Sequence, residues 1–345
     1  MYNTLVLVKS SSGKDPQYTS AVARIRIFET RLVSRASYER MIEADTFNQA
    51  LKILSENYDY RHDIEKCREG MCCSPIFTQQ LRRMYELLSV LVPNSLIPKA
   101  FMLRYDIINI KILQNMAQKT SVRDPEYVEL GFYGLPLLKE CTQEGNYDKL
   151  DKKMSVFAQS LEKMKGVRGK EIQCDTFFFS LLEEAFKSEK SPFLNFIFST
   201  MIDTYNIKSL FRINNKFIRD EYQFEGIFLN GGMYDRDYYV QLIGENETEV
   251  IKRFANTDYD ELVQNLFDLE KKGIFSGSID MLFDNFLMNL YKEAKTFHFG
   301  VEPIVGYIFA KENEVKHLRR IFTGKQFNLK KNLNIIERSL ESVYA

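Results

Sequence analysis

Histidine is almost missing from this chain: His62, His298 and His317 are the only three in 345 residues. No two of them stand at the His-Glu-x-x-His spacing that sets a pair of imidazoles on one helix face for zinc. No Gly-x-Ser-x-Gly elbow occurs either. The nearest approaches to a phosphate cradle, Gly166 to Lys170 and Gly324-Lys325, lack the G-x-x-x-x-G-K-[S/T] spacing, and neither follows a predicted strand. A dinucleotide-type glycine pattern is absent as well. Acid pairs such as Glu183-Glu184 lie on charged helix faces, where solvation is the simplest reading. The residues supply no nucleophile, general base or metal set, and call for no cofactor.

Charge of one sign is missing too. Lys+Arg and Asp+Glu both number 47, which leaves no basic footprint for nucleic acid, although a neutral sum can hide opposed faces. Long apolar runs are absent. Leu5 to Val8 is cut off at Lys9, too short for a signal core, and Phe193 to Ile202 is interrupted by Asn195, Ser199 and Thr200 at about half the length a bilayer requires. Any link to a membrane must therefore run through a partner or a surface contact. Five cysteines, an odd number, fit a reducing compartment. His62, Cys67, Cys72 and Cys73 could be a metal site or simply loop and core thiols. The missing C-x-x-C knuckles favour the second reading.

What the chain does have is helical periodicity. Apolar residues make up 45% and charged residues 27%, ordinary for a soluble globular protein. Asp15-Pro16 predicts a helix start, followed by the stripe Val22, Ile25, Phe28, Leu32, with Arg24, Arg26, Arg31 and Arg35 around it. Thr46 and Gln49 form a predicted capping box. Ser191-Pro192 opens another helix, and Glu302-Pro303 a last long one expected to stop at Gly324. Breaks are expected at Gly70 to Pro75, Pro93 to Pro98, Lys119 to Pro125, Gly166 to Gly169, Gly231-Gly232, Gly244 to Asn246 and Lys272 to Gly277. The period is 3.6 rather than 2, so the predicted class is all-α. The aromatic stretches Phe177 to Phe179 and Phe193 to Phe198 read as core.

The sequence also resembles itself. Tyr105-Asp106-Ile107 returns as Tyr205-Asn206-Ile207; Asn109, Ile110 and Lys111 then fall on Ser209, Leu210 and Phe211, and Gly131 on Gly231. Tyr147-Asp148 and Leu150 are echoed by Tyr259-Asp260 and Leu262, with extra residues around Gly244. Glu314-Val315 and Leu318-Arg319 repeat the order of Asp106-Ile107 and Ile110-Lys111 more faintly. Asp175 and Asp280 precede similar helices. Three related helical units of about a hundred residues follow, unless amphipathic helices match here by chance. The expected segments are an extension over 1–17 and units over 18–125, 126–230 and 231–345, with N- and C-terminal parts free to interleave.

Three stretches resemble a known family. "YTSAVARIRIFETRLVSRASYERMIEADTFNQALKIL" (Tyr18 to Leu54), with Arg35, Tyr38, Glu39, Ile42, Glu43 and Ala44, is similar to the opening of the C subunit of V-type and archaeal-type rotary ATPases, called the d subunit in eukaryotes. "RYDIINIKIL" (Arg104 to Leu113) resembles the family's D-I-x-N-[L/I]-K signature through Tyr105, Asp106, Asn109 and Lys111. "VEPIVGYIFAKENEVKHLRRIFTGK" (Val301 to Lys325) resembles its C-terminal signature through Glu302, Pro303, Lys311, Glu312, Glu314, Leu318 and Arg319. Asn206, Ser209 and Phe211 depart from the second copy of the D-I-x-N-[L/I]-K pattern.

The resemblance implies three similar helical domains about a pseudo-threefold axis, forming a funnel. It implies a non-catalytic coupling role on the cytoplasmic face of the membrane, peripheral to it. The funnel would rest on the membrane proteolipid ring and receive the rotor axle, made of the D and F subunits, transmitting torque for H⁺ or Na⁺ transport or for ATP synthesis. The signature residues are then expected to be structural. The basic residues Lys316, Arg320 and Lys325, with Lys311, His317 and Arg319 nearby, admit two readings: compensation of the helix dipole, or a docking face for an acidic partner. A generic helical-repeat scaffold and an enzyme with a dispersed site are the rival functional classes. Repeats this long do not fit the tetratricopeptide, ankyrin or HEAT periods.

Overall fold

The computed structural model describes residues 8–9, 16–65, 74–117, 126–164, 166–215, 226–272, 277–327 and 343–344. Among them the chain is helical without a strand. The helices are α1 (Thr19–Glu29), α2 (Arg35–Glu43), α3 (Phe47–Leu54), α4 (Tyr58–Glu65), α5 (Ser74–Leu91), α6 (Ile97–Ala117), α7 (Leu135–Glu144), α8 (Lys152–Lys163), α9 (Val167–Ser188), α10 (Pro192–Asn214), α11 (Arg236–Val240), α12 (Glu247–Phe254), α13 (Asp260–Lys271), α14 (Gly277–Lys292) and α15 (Glu302–Gln326). Short 3₁₀ segments stand at Pro16–Tyr18 and Glu293–Thr296.

Local chemistry sets the helix starts. Thr46 Oγ1 accepts the Gln49 N–H at 3.2 Å, while Gln49 Oε1 accepts the Thr46 N–H at 3.1 Å. This reciprocal pair satisfies two amides that the first helical turn leaves free. Ser191 caps α10 by accepting from Leu194 N–H, with Pro192 in the first turn. Asp151 and Asn246 cap α8 and α12 in the same way. Each such cap contributes about 1 kcal/mol.

Two compact units result. One is Tyr85–Lys190; the other joins Met1–Met84 to Ser191–Ala345, so the boundary falls inside α5. In the first, α6 packs against α7, α8 and α9. Ile107 and Ile110 meet Leu138, Tyr147, Phe157 and Leu161 in its core, and the rings of Phe157 and Phe177 stack at 4.2 Å. In the second, α15 packs against α1, α3 and α14, while α10 packs against α11 and α14. Helix α15 is enclosed on nearly every side over its first half, from Glu302 to Lys311. Phe322 sits against Phe47 and Phe77, and Tyr291 stacks on Phe309 at 3.7 Å.

Several expectations shift. Helix α1 ends at Glu29, so Leu32 is buried from the following turn and not from the helix. Helix α15 runs through Gly324 to Gln326, because Gly324 stays buried and helical, and no left-handed residue interrupts the turn. Gly169 is helical, and only Gly166, at φ 88°, marks the break before α9. Asp15, Cys67, Cys72, Cys73 and the Lys119 to Pro125 break lie outside the described residues; Cys141 and Cys174 are buried free thiols.

Leu318 is fully buried between Val315 and Phe322 on α15, whereas Arg320 is part-exposed and lies 3.5 Å from Asp284. Leu318→Asp should destabilise its unit by roughly 3–5 kcal/mol through an unpaired buried carboxylate. Arg320→Ala should cost less than about 1 kcal/mol. Thermal melts compare the two variants, and equal melting temperatures would contradict this assignment of the helix faces.

Candidate functional site

Three times, a carboxylate on a long helix reaches a turn that leads into another helix. In the Tyr85–Lys190 unit it is Asp106 of α6. Its Oδ2 accepts the N–H groups of Phe132 at 2.6 Å and Tyr133 at 3.2 Å. One helical turn on, Asn109 closes a two-way amide pair with Val128: Nδ2 donates to the carbonyl at 2.8 Å, and Oδ1 accepts the N–H at 2.9 Å. A Cβ on Gly131 would overlap Asp106 Oδ1, so the close approach requires glycine. The turn then opens α7 at Gly134, whose φ is 75°.

In the second unit Asp203 of α10 does the same. It accepts from Met233 N–H at 2.9 Å and Tyr234 N–H at 3.4 Å, and from the phenols of Tyr239 and Tyr259 at 2.9 and 2.8 Å. Asn206 pairs with Leu229 in both directions, at 2.9 and 2.8 Å. A Cβ on Gly232 would overlap Asp203 Oδ1.

The same unit holds a third arrangement around Glu314 of α15. Its Oε2 accepts Val33 N–H at 2.6 Å; its Oε1 accepts the Tyr60 phenol at 2.7 Å and the Lys311 ammonium at 2.6 Å. Here the amide position is taken by His317, with the Tyr38 ring edge-on at 5.8 Å. Burial, with Arg320 and Lys316 adding, pulls the His317 imidazole down to about 3, so it is neutral.

These contacts correct the sequence register of the second copy. Asp106 corresponds to Asp203 and Asn109 to Asn206, not to Asn206 and Ser209, and Gly131 corresponds to Gly232, not to Gly231. In this register Asp203-Thr204-Tyr205-Asn206-Ile207-Lys208 keeps every signature residue of Asp106 to Lys111 except Ile107. The second copy is therefore not blurred at Asn206, Ser209 and Phe211. The signal was the Asp-x-x-Asn-Ile-Lys spacing, and the repeated Tyr-x-Ile triplet hid it. Asp203, Tyr239 and Tyr259 were missed for that reason; Tyr60 and Val33 were missed because each lies more than 250 positions from Glu314.

The remaining signature residues are distributed around these centres. Lys111 lies 3.8 Å from Glu171 of α9, Lys208 pairs with Asp280 of α14, and Arg319 donates to Thr78 of α5 at 3.0 Å. Each links its helix to a neighbour. Tyr105 is buried, with the Arg104 guanidinium 5.0 Å from its ring centroid. Glu302 is buried and accepts the Ser191 hydroxyl at 2.7 Å, next to Pro303 in the first turn of α15. Leu318 is in the core; Glu312 is half-buried. Of the basic residues, Lys316 pairs with Asp284 at 2.5 Å, Arg320 reaches the same carboxylate, and the Lys325 amine donates to the carbonyls of Ile42 and Ala44. No group of three or more His, Cys, Asp or Glu suited to a metal ion occurs among the described residues. No described helix is long and apolar enough to cross a membrane.

The three carboxylates differ in how fully they are satisfied. Asp106 is the poorest: among the described residues its buried Oδ1 has no hydrogen-bond partner, and Leu138 stands at the turn-relative place of Tyr239. Burial pushes its carboxyl from the ordinary 3.8 to about 6, against the opposing pull of the Tyr133 and Phe132 amides. Burial also raises Asp203, and there four donors resist it.

Comparison with known proteins gives a consistent picture. The family model described as "ATP synthase (C/AC39) subunit" matches residues 21–333. The C subunit of the A-type ATP synthase from Methanosarcina acetivorans is 23% identical, covering 92% of this chain and 91% of its own length. The C subunit of the V-type sodium ATPase from Enterococcus hirae is also 23% identical, covering 93% and 97%. The A-type C subunit of Methanocaldococcus jannaschii is 24% identical over 91% of this chain and 84% of its own.

Two predictions test this geometry. The folded Asp106 carboxyl, at about 6, holds its proton more tightly than the unfolded one at 3.8. Its contribution to stability is therefore full below about pH 4 and is lost as pH rises through about 6, a change of about 3 kcal/mol. Urea unfolding across that window should show a slope that Asp106→Asn removes; identical slopes in both proteins would refute the assignment. Separately, Gly232→Ala should destabilise by roughly 2–4 kcal/mol through collision with Asp203. Gly277→Ala, whose Cβ would meet nothing within 4 Å, should be close to neutral. Equal losses in denaturant midpoints would contradict the glycine requirement.

Proposed function

Because the chain belongs to the ATP synthase (C/AC39) subunit family, we propose that it is the non-catalytic coupling part of an A/V-type rotary ATPase. In this reading it joins the rotor axle of D and F subunits to the membrane proteolipid ring and turns with them. ATP hydrolysis in the catalytic head then drives H⁺ or Na⁺ across the membrane, or ion flow drives synthesis. The chain is peripheral, on the cytoplasmic face, and meets the membrane through the ring.

The observation that carries the reading is the family match along residues 21–333. The geometry supports it. A coupling part must transmit force without deforming, and close-packed helical interiors have low compressibility. Three carboxylate-held turns add direction to that stiffness, since each fixes a loop to a long helix by several hydrogen bonds at once. Their recurrence supports three similar domains about a pseudo-threefold axis, arranged as a funnel, with Glu314 at the heart of a domain made from both chain ends. Lys316, Arg320 and Lys325 are the proposed acidic-partner contacts. Lys316 and Arg320 both reach the Asp284 carboxylate from α15.

The test is mechanical. A complex reconstituted without this chain should keep ATP hydrolysis in its detached head and lose ATP-driven ion uptake into vesicles. Re-addition of the chain should restore uptake. Loss of hydrolysis by the isolated head would overturn the proposal, as would full ion uptake in the chain's absence.

A further inference from the structure

The third carboxylate centre lacks a part that the other two share. Asn109 and Asn206 each pair in both directions with a backbone position six places before the cap of the next helix: Val128 before Gly134, and Leu229 before Asp235. The same place before Ser34 is Phe28. Phe28 lies inside α1, its carbonyl accepts the Arg31 N–H at 3.0 Å, and His317 stands where the asparagine would. The entry of this turn is held by other means.

Glu29, the next residue, supplies the fixing point. Its carbonyl accepts the Leu32 N–H at 3.3 Å, one residue before the Val33 N–H that reaches Glu314. Its carboxylate is held from two sides: by Arg26 at 2.6 Å, and by the Tyr344 phenol, which donates at 3.0 Å. Burial, with Glu29 adding, pushes that phenol well above its ordinary range, so it stays a donor. Tyr344 is only 3% exposed and touches two further elements. Its carbonyl accepts from the amine of Lys295 in the 3₁₀ segment, whose Nζ stands 4.3 Å from the ring centroid. A Cβ on Gly306 of α15 would come within 2.9 Å of the phenol oxygen, so glycine there makes room for it.

We propose that Tyr344 is a latch: it fixes the entry of the Val33 turn in place of the asparagine pair, and its release opens the Glu314 centre to water. Asn109 and Asn206 sit on the helix that carries their carboxylate and cannot leave it. Tyr344 lies beyond the end of α15 in sequence, so this centre can lose its fixing point while its carboxylate helix stays intact. The latch also closes beside the buried centre itself, since Tyr344, Glu314 and His317 border one small cavity. Such a device is independent of the rotary role.

Hydrogen exchange of single backbone amides in the full chain, read by NMR, provides the test. Tyr344→Phe keeps the ring and removes the bond to Glu29, and the Val33 amide should then exchange about 10-fold faster. In Tyr344→Ala it should exchange about 100-fold faster. The Met233 amide, bonded to Asp203 in the same unit, should keep its wild-type rate. His317 gives a second readout in a chain with only three histidines. Burial, with Arg320 and Lys316 adding, holds its imidazole at about 3, against the Tyr38 ring. In Tyr344→Ala water should reach the imidazole and raise it above about 4. Val33 rates unchanged in both variants overturn the latch. Val33 and Met233 accelerating by the same factor also overturn it, because Tyr344 would then only add stability to the whole unit. An unchanged His317 in a folded Tyr344→Ala chain overturns the opening to water. If that chain does not fold, the contrast between Val33 and Met233 in Tyr344→Phe decides alone.

Discussion

A negative charge buried under a turn is the constraint on which much of this structure depends. Moving a carboxylate out of water is costly unless donors surround it. Consecutive backbone N–H groups are the donors that a tight turn can offer, and they can approach closely only if the turn lacks a side chain on the facing side. Asp106, the amides of Phe132 and Tyr133 and the bare Cα of Gly131 are therefore one unit of design; Asp203, Met233, Tyr234 and Gly232 are another. Once the turn is fixed, the start of the following helix is fixed with it. The amide pairs of Asn109 with Val128 and Asn206 with Leu229 set the turn's other end.

The three centres solve the same electrostatic problem with different completeness. Asp203 adds two phenols to its amides. Glu314 has one amide, one phenol and the Lys311 ammonium, so its charge is matched by a cation rather than by dipoles alone. Among the described residues Asp106 has only the two amides, and burial dominates its titration. A longer side chain at position 314 goes with a different donor set: Val33 belongs to a segment that follows a helix, α1, and Leu32 N–H bonds back to the Glu29 carbonyl. The chemistry of the repeat is kept while its residues change.

How much of this was legible in the sequence follows from the range of each interaction. The capping box at Thr46 and the Ser191-Pro192 start were readable because cap and helix are adjacent. The all-helical class followed from a period that persists through the chain. Gly324 misled because glycine permits a helix end without requiring one, and the burial of the last turn decided otherwise. The register of the second repeat was present in Asp203, Asn206 and Lys208 but was lost to a louder local match at Tyr205 and Ile207. Nothing near Glu314 could reveal Val33, because the two residues are 281 positions apart and the bond is made by a backbone amide, which has no sequence identity. The basic cluster was visible, yet its engagement with Asp284 and with the carbonyls of Ile42 and Ala44 was not.

That engagement bears on what a charged face can contribute to recognition. Lys208 and Arg212 on α10 flank Asp280, and Lys316 and Arg320 on α15 flank Asp284, so four cations share two carboxylates of α14. Internal pairing lowers the free energy that any one of these cations can offer a partner, since a new ion pair must replace an existing one in water. The excess charge still attracts an acidic surface over about a Debye length, roughly 8 Å at physiological salt. Such a field speeds encounter more than it fixes register.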